Sequence, residues 1–104
     1  MVNGKQFAEI WEQGAEGCAL GAFTNGDVGW LMFLRFDGDA GLSSRNPNYT
    51  GPAEEEIAYR LQNGQIDRYP ASWALPLAEV TRALEYFQKT AERPPFIMWH
   101  DDSK

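Results

Sequence analysis

The chain has 104 residues, room for one small core and not for two. Fifteen acidic against nine basic residues leave a net charge of −6, which argues against direct contact with nucleic acid. A single cysteine, Cys18, and a single histidine, His100, exclude an internal disulfide and a structural zinc cage.

One domain over residues 1–104 is therefore expected. The start, "MVNGKQFAEIWEQG", has no basic stretch leading into an apolar one. No apolar run is long enough to span a bilayer. The expected location is the cytoplasm, with no membrane partner.

A helix is predicted first. Asn3 is a capping residue with Gln6 three positions on, and Phe7, Ile10 and Trp11 follow at i, i+3, i+4 spacing. Gly14 and Gly17 would end it. "CALGAFTNGDVGWLMFLRF" then reads as a hairpin around Asn25-Gly26. In its second arm Trp30, Met32, Leu34 and Phe36 point one way, and Leu31, Phe33 and Arg35 the other. A strand apolar on both faces belongs in the middle of a sheet.

A short strand is expected within Ala40–Tyr49, then a loop at "NPNYTGP". "EEEIAYRLQNGQIDRYP" reads as a second hairpin around Asn63-Gly64. A two-residue turn there would set Leu61 opposite Ile66 and Arg60 opposite Asp67, an opposite-charge pair. Pro76 opens a second helix with a stripe of Leu77, Val80, Leu84, Phe87 and Ala91, and with Glu85 and Lys89 paired on its solvent side. Arg93-Pro94-Pro95 stops it, and "FIMW" supplies a last strand. The fold class is α+β: an antiparallel sheet of about five or six strands, with two helices mainly on one face.

The polar loop "FDGDAGLSSRNP" resembles a site by density alone. A calcium loop beginning at Asp37 would need a glycine sixth and a glutamate twelfth, where Leu42 and Asn48 stand. A phosphate cradle would need P-loop spacing and a lysine, and Asp37 and Asp39 repel phosphate. A nucleophile would have to come from Cys18, Ser43 or Ser44 beside His100, with no nucleophile elbow in the chain. Gly38, Gly41, Asn46 and Pro47 therefore read as loop architecture. No catalytic residue, metal ligand or cofactor is assigned.

Three segments, "LRFDGDAGLSSRNP", "YRLQNGQIDRYPASWALP" and "ALEYFQKTAERPPFIMWHDD", together resemble immunity protein family 1 of bacterial polymorphic toxin systems. They run in order over about residues 30 to 102. The resemblance implies a non-enzymatic antitoxin that binds a cognate toxin domain, often a nucleic-acid deaminase, and blocks its active site. The partner would carry a basic cleft, to which an acidic protein is steered. The carboxylates proposed to meet it are Asp37, Asp39, Glu54, Glu55, Glu56, Asp67, Asp101 and Asp102. Tyr49, Trp73 and Trp99 are the candidate aromatic anchors. Two other readings stand beside this one. One is a small enzyme with a pocket at Ser43, Ser44, Arg45 and His100. The other is a regulatory interaction module without a toxin.

Overall fold

A computed structural model describes residues 7–104. Eight strands and one α-helix follow in chain order: β1 Phe7–Gln13, β2 Ala19–Asn25, β3 Val28–Leu34, β4 Leu42–Arg45, β5 Glu56–Arg60, β6 Ile66–Pro70, β7 Leu75–Pro76, α1 Leu77–Thr90 and β8 Met98–Asp101. Short 3-10 turns lie at Ala15–Gly17 and Ala71–Trp73.

Six strands form one antiparallel sheet in the order β1-β2-β3-β4-β8, with the two-residue β7 also on β3. β7 lies across from Val28 and Gly29, while β4 lies across from Met32 and Phe33. The two thus share one edge of β3, end to end. β3 is interior to the sheet, as its two apolar faces require. Helix α1 covers one face, where Leu20, Ala22, Leu31, Phe33, Leu42 and Leu75 meet Val80, Ala83 and Phe87. The separate β5-β6 hairpin covers the other, where Phe23 and Trp30 meet Tyr59, with Trp11, Met32, Tyr69 and Trp73 around them. Leu31 and Phe33 go to the helix side, and Trp30 and Met32 to the hairpin side, following the expected alternation.

The first predicted helix is corrected. Phe7–Gln13 is a strand, paired residue for residue with β2 from Phe7↔Asn25 to Gln13↔Ala19. Its helical spacing is real, but six of the seven residues of β2 are buried. The backbone groups of so buried a strand need a partner on each side. β1 supplies one, and the ring of Trp11 lies over Gly21, its opposite number. The capping pair Asn3 and Gln6 lies outside the described residues. The second helix forms, so α1 is the one α-helix among the described residues, and it covers one face alone.

At the first hairpin Asn25 pairs with Val28, so the two-residue turn is Gly26-Asp27. Gly26, at φ 65°, takes the first turn position, the requirement of a type II′ turn. The second hairpin corrects the expected register. Its turn is longer: the Leu61 N–H donates to the Gln65 carbonyl and the Gly64 N–H to the Leu61 carbonyl. Gly64 takes φ 90° and supplies the bulge residue of a three-residue loop. Arg60 consequently faces Ile66, and Tyr59 faces Asp67. The expected Arg60–Asp67 pair does not form. Ile66 turns outward, 48% exposed, and Asp67 lies on the inner face of the hairpin.

Pro76 ends β7 and immediately precedes α1, whose first N–H, on Leu77, donates to the Asp27 carbonyl. Of the expected stripe, Val80 and Phe87 are buried, Leu84 is half-buried, and Leu77 and Ala91 are exposed; Ala83 fills the centre. Glu85 and Lys89 are exposed and form no ion pair among the described residues. Ala91 closes the helix in the left-handed conformation, with its N–H on the Phe87 carbonyl.

Candidate functional site

The proposed contact residues gather in two places, with Asp67, Trp73 and Trp99 packed between layers. The first place is the end of the sheet where β3 runs into β4. There Arg35 grips the loop that follows it. Asp39 Oδ2 accepts from the Arg35 backbone N–H at 2.9 Å and from its Nε at 2.7 Å, and Oδ1 accepts from Nη2 at 2.9 Å. The Asp39 side chain is 2% exposed. The guanidinium hydrogen bonds and the backbone N–H hold this carboxyl well below the usual carboxylate range, and the guanidinium bonds in turn raise the arginine. Asp39 therefore faces Arg35 rather than solvent, and Asp37 is the exposed carboxylate of this loop.

Arg35 also reaches the chain end, with Nη1 3.2 Å from Asp101 Oδ2. Asp101 Oδ1 accepts from the Ser103 N–H and hydroxyl, at 2.9 and 2.6 Å. Those Ser103 bonds, and then Arg35, pull its carboxyl down to about 2. Asp102 is tied through its N–H to the Gly41 carbonyl and accepts from the Ser43 hydroxyl at 3.1 Å. Gly38 and Gly41, at φ 82° and 94°, make the turns that close this loop.

The second place is the connection from β4 to β5. The Asn46 side chain donates to the Ala74 carbonyl and accepts from the Asn48 N–H. The Tyr49 hydroxyl donates to the Pro52 carbonyl at 2.7 Å and lies 3.4 Å from Glu55. Burial first, then Glu55 and Glu54, raise its titration point. Glu54, Glu55 and Glu56 are exposed, and Glu56 lies 3.6 Å from Arg68.

The remaining three are turned inward to differing degrees. Asp67 accepts from Gln65 at 2.8 Å. Trp73 stacks on Tyr69 with centroids 5.6 Å apart, and the Arg45 guanidinium covers it at 4.3 Å. Trp99 donates to the Pro94 carbonyl and packs on Phe33. Each is half-buried.

The residues of a conceivable catalytic pocket do meet, but not in catalytic order. Ser43 and His100 are opposite each other on β4 and β8. The Ser43 hydroxyl donates to Asp102 and accepts from Arg45 Nη1 at 2.9 Å. His100 Nε2 approaches Asp102 at 3.8 Å instead. A nucleophile hydrogen-bonded to a carboxylate and a guanidinium, with the imidazole elsewhere, lacks the serine–histidine bond that activation needs. Ser44 is wholly buried and structural: it accepts from the Leu31 N–H at 3.0 Å and donates to the Trp73 carbonyl at 2.9 Å. Burial lowers the titration point of Arg45, and Asp102 opposes that shift. The Cys18 thiol lies 3.9 Å from the Ala91 carbonyl and packs against the helix-side core.

The residues absent from sequence reasoning are Arg35, as the brace of the loop, and Phe36, which it presents. The available signal was a lone charge closing an apolar strand, four residues before an aspartate.

This arrangement defines a small α+β scaffold that displays carboxylates and aromatic rings, and not one that gathers reacting groups. Residues 4–101 match the family model described as immunity protein Imm1, and the chain belongs to that family. It is thus an immunity protein, of a family that is not one of enzymes, whose members bind a cognate toxin. Among curated proteins none matches the chain. No helix among the described residues is long and apolar enough to cross a membrane.

Proposed function

We propose that this protein neutralises a bacterial toxin domain that deaminates nucleic acid, by covering the toxin's active-site cleft from within the producing cell's cytoplasm. Membership of the immunity family carries the reading, and the net charge of −6 supports its form. A toxin acting on nucleic acid needs a basic cleft to hold phosphates, and such a cleft attracts an acidic protein. The carboxylates offered to it are Asp37, Asp101 and Asp102 at the sheet end and Glu54, Glu55 and Glu56 on the β4–β5 connection, whereas Asp67 is turned to the inner face of the hairpin. Tyr49, Trp73 and Trp99 act as apolar contacts, and Asp39 contributes by holding Asp37 in place. The protein needs no cofactor, and contacts neither nucleic acid nor membrane.

The test is co-expression with the toxin encoded by the adjoining gene, then purification and an assay of base deamination. A stable complex with the deaminase silenced is the expected result. Failure of the purified protein to bind or inhibit that toxin overturns the proposal. A bound and inhibited toxin of another activity overturns the deaminase assignment alone.

A further inference from the structure

We propose that the Arg35–Gly41 loop is the rigid tip of the toxin-binding surface, with the Phe36 ring inserted in an apolar notch and Asp37 and Glu16 facing basic side chains at its rim. This inference rests on the toxin-binding reading above.

Phe36 is 53% exposed although it continues an apolar strand. By alternation its ring would join Trp30 and Met32 beneath the hairpin, but β3 ends at Leu34 and the loop carries the ring outward. The loop is not a loose turn. Its first side chain and first backbone N–H are both bound by Asp39, and the Asp39 N–H returns to the Phe36 carbonyl at 3.1 Å. Asp101 holds the far side of the guanidinium. A ring displayed on so constrained a loop loses little conformational freedom on binding, which is the property of an effective anchor.

The surroundings identify the occupant as a cationic protein surface. Asp37 and Glu16 are exposed, and neither has an ion-pair partner among the described residues. A side chain added at Gly17 would come within 2.7 Å of the Asp37 nitrogen, so the turn bearing Glu16 packs directly on this loop. Ile66 and Met98, the two other apolar residues of similar exposure, are differently placed. Ile66 is opposite Arg60 and two residues from exposed Arg68, itself near Glu56, and Met98 is opposite Arg45 across β4 and β8. Of these three positions Phe36 alone is flanked by exposed carboxylates without an ion-pair partner among the described residues, and these attract a basic cleft.

Binding of the adjoining toxin domain to the wild-type protein, Phe36→Ala, Asp37→Lys, Ile66→Ala and Met98→Ala, with thermal melts to verify folding, decides the matter. Phe36→Ala should weaken affinity about tenfold or more, chiefly through faster dissociation. Asp37→Lys should slow association severalfold and flatten its salt dependence. Ile66→Ala and Met98→Ala should stay within about twofold, as residues outside the hot spot do. If the wild type binds tightly and both loop variants bind equally well, this inference is wrong while the antitoxin reading stands. If the wild type does not bind the toxin, the antitoxin reading fails and this one with it.

Discussion

The Asp39 carboxylate binds Arg35 twice over, taking the backbone N–H of that residue on Oδ2 and its guanidinium on both oxygens. One side chain thereby sets both the path of the loop and the direction of the arginine. The other edge of the guanidinium fastens Asp101 and the chain end.

This network makes stability depend on acid. Asp101 is lowered from 3.8 to about 2 in the folded protein, and Asp39 is lowered further. Each binds a proton less readily folded than unfolded, so its contribution is complete above the unfolded value and lost as pH falls toward the folded one. Denaturant midpoints should therefore drop between pH 4 and 2. Asp39→Asn should lower the midpoint at pH 7 and flatten that acid decline. An unchanged slope in this variant would remove Asp39 from the explanation.

Ser44→Ala should destabilise by about 2 kcal/mol, because the buried Leu31 N–H loses its acceptor and the Trp73 carbonyl loses a donor. Urea unfolding measures this directly. Ser44→Thr keeps the hydroxyl but adds a methyl group at a fully buried position, so packing decides its outcome.

Gly21→Ala should cost roughly 1–3 kcal/mol, the usual range for overpacking. The added carbon would lie 2.7–2.9 Å from three ring atoms of Trp11. In a Trp11→Ala background the same change should cost much less, since the obstructing ring is gone. A double-mutant cycle with no coupling would contradict the packing of β1 described above.

Association with the toxin should slow steeply as salt rises, because exposed carboxylates lose their reach beyond a Debye length of about 8 Å at physiological ionic strength. Stopped-flow mixing across a salt series gives the slope. His100→Ala should leave inhibition within about twofold, since His100 faces Asp102 and not a nucleophile. Loss of inhibition in that variant would return attention to the Ser43–His100 corner.

Much of the architecture was legible in the chain. Alternation along Trp30–Phe33 and the proline before α1 are local signals that formed where expected, while the first turn closed one residue later, at Gly26-Asp27, and the closing strand two residues later than "FIMW", at Met98–Asp101. β1 was not legible, because Phe7, Ile10 and Trp11 satisfy a helical period as well as a strand. The register of the second hairpin was missed for a similar reason. "NG" marks a turn, but whether it closes over two residues or three depends on which face must cover Trp30. The candidate site was half legible: acidic residues can be counted in a sequence, but their exposure cannot.

By itself the sequence determined the acidic charge, the absence of an internal disulfide, the interior strand β3 and the family likeness of residues 30–102. These depend on composition and neighbouring residues. Tertiary structure alone decided that Asp39 turns inward to Arg35 while Asp37 and Phe36 face outward, and that Ser43 is held by Asp102 and Arg45 instead of His100. Those outcomes depend on contacts between segments distant in the chain. A carboxylate next to a guanidinium from the same loop is a brace, and the same carboxylate in water is free to meet a partner.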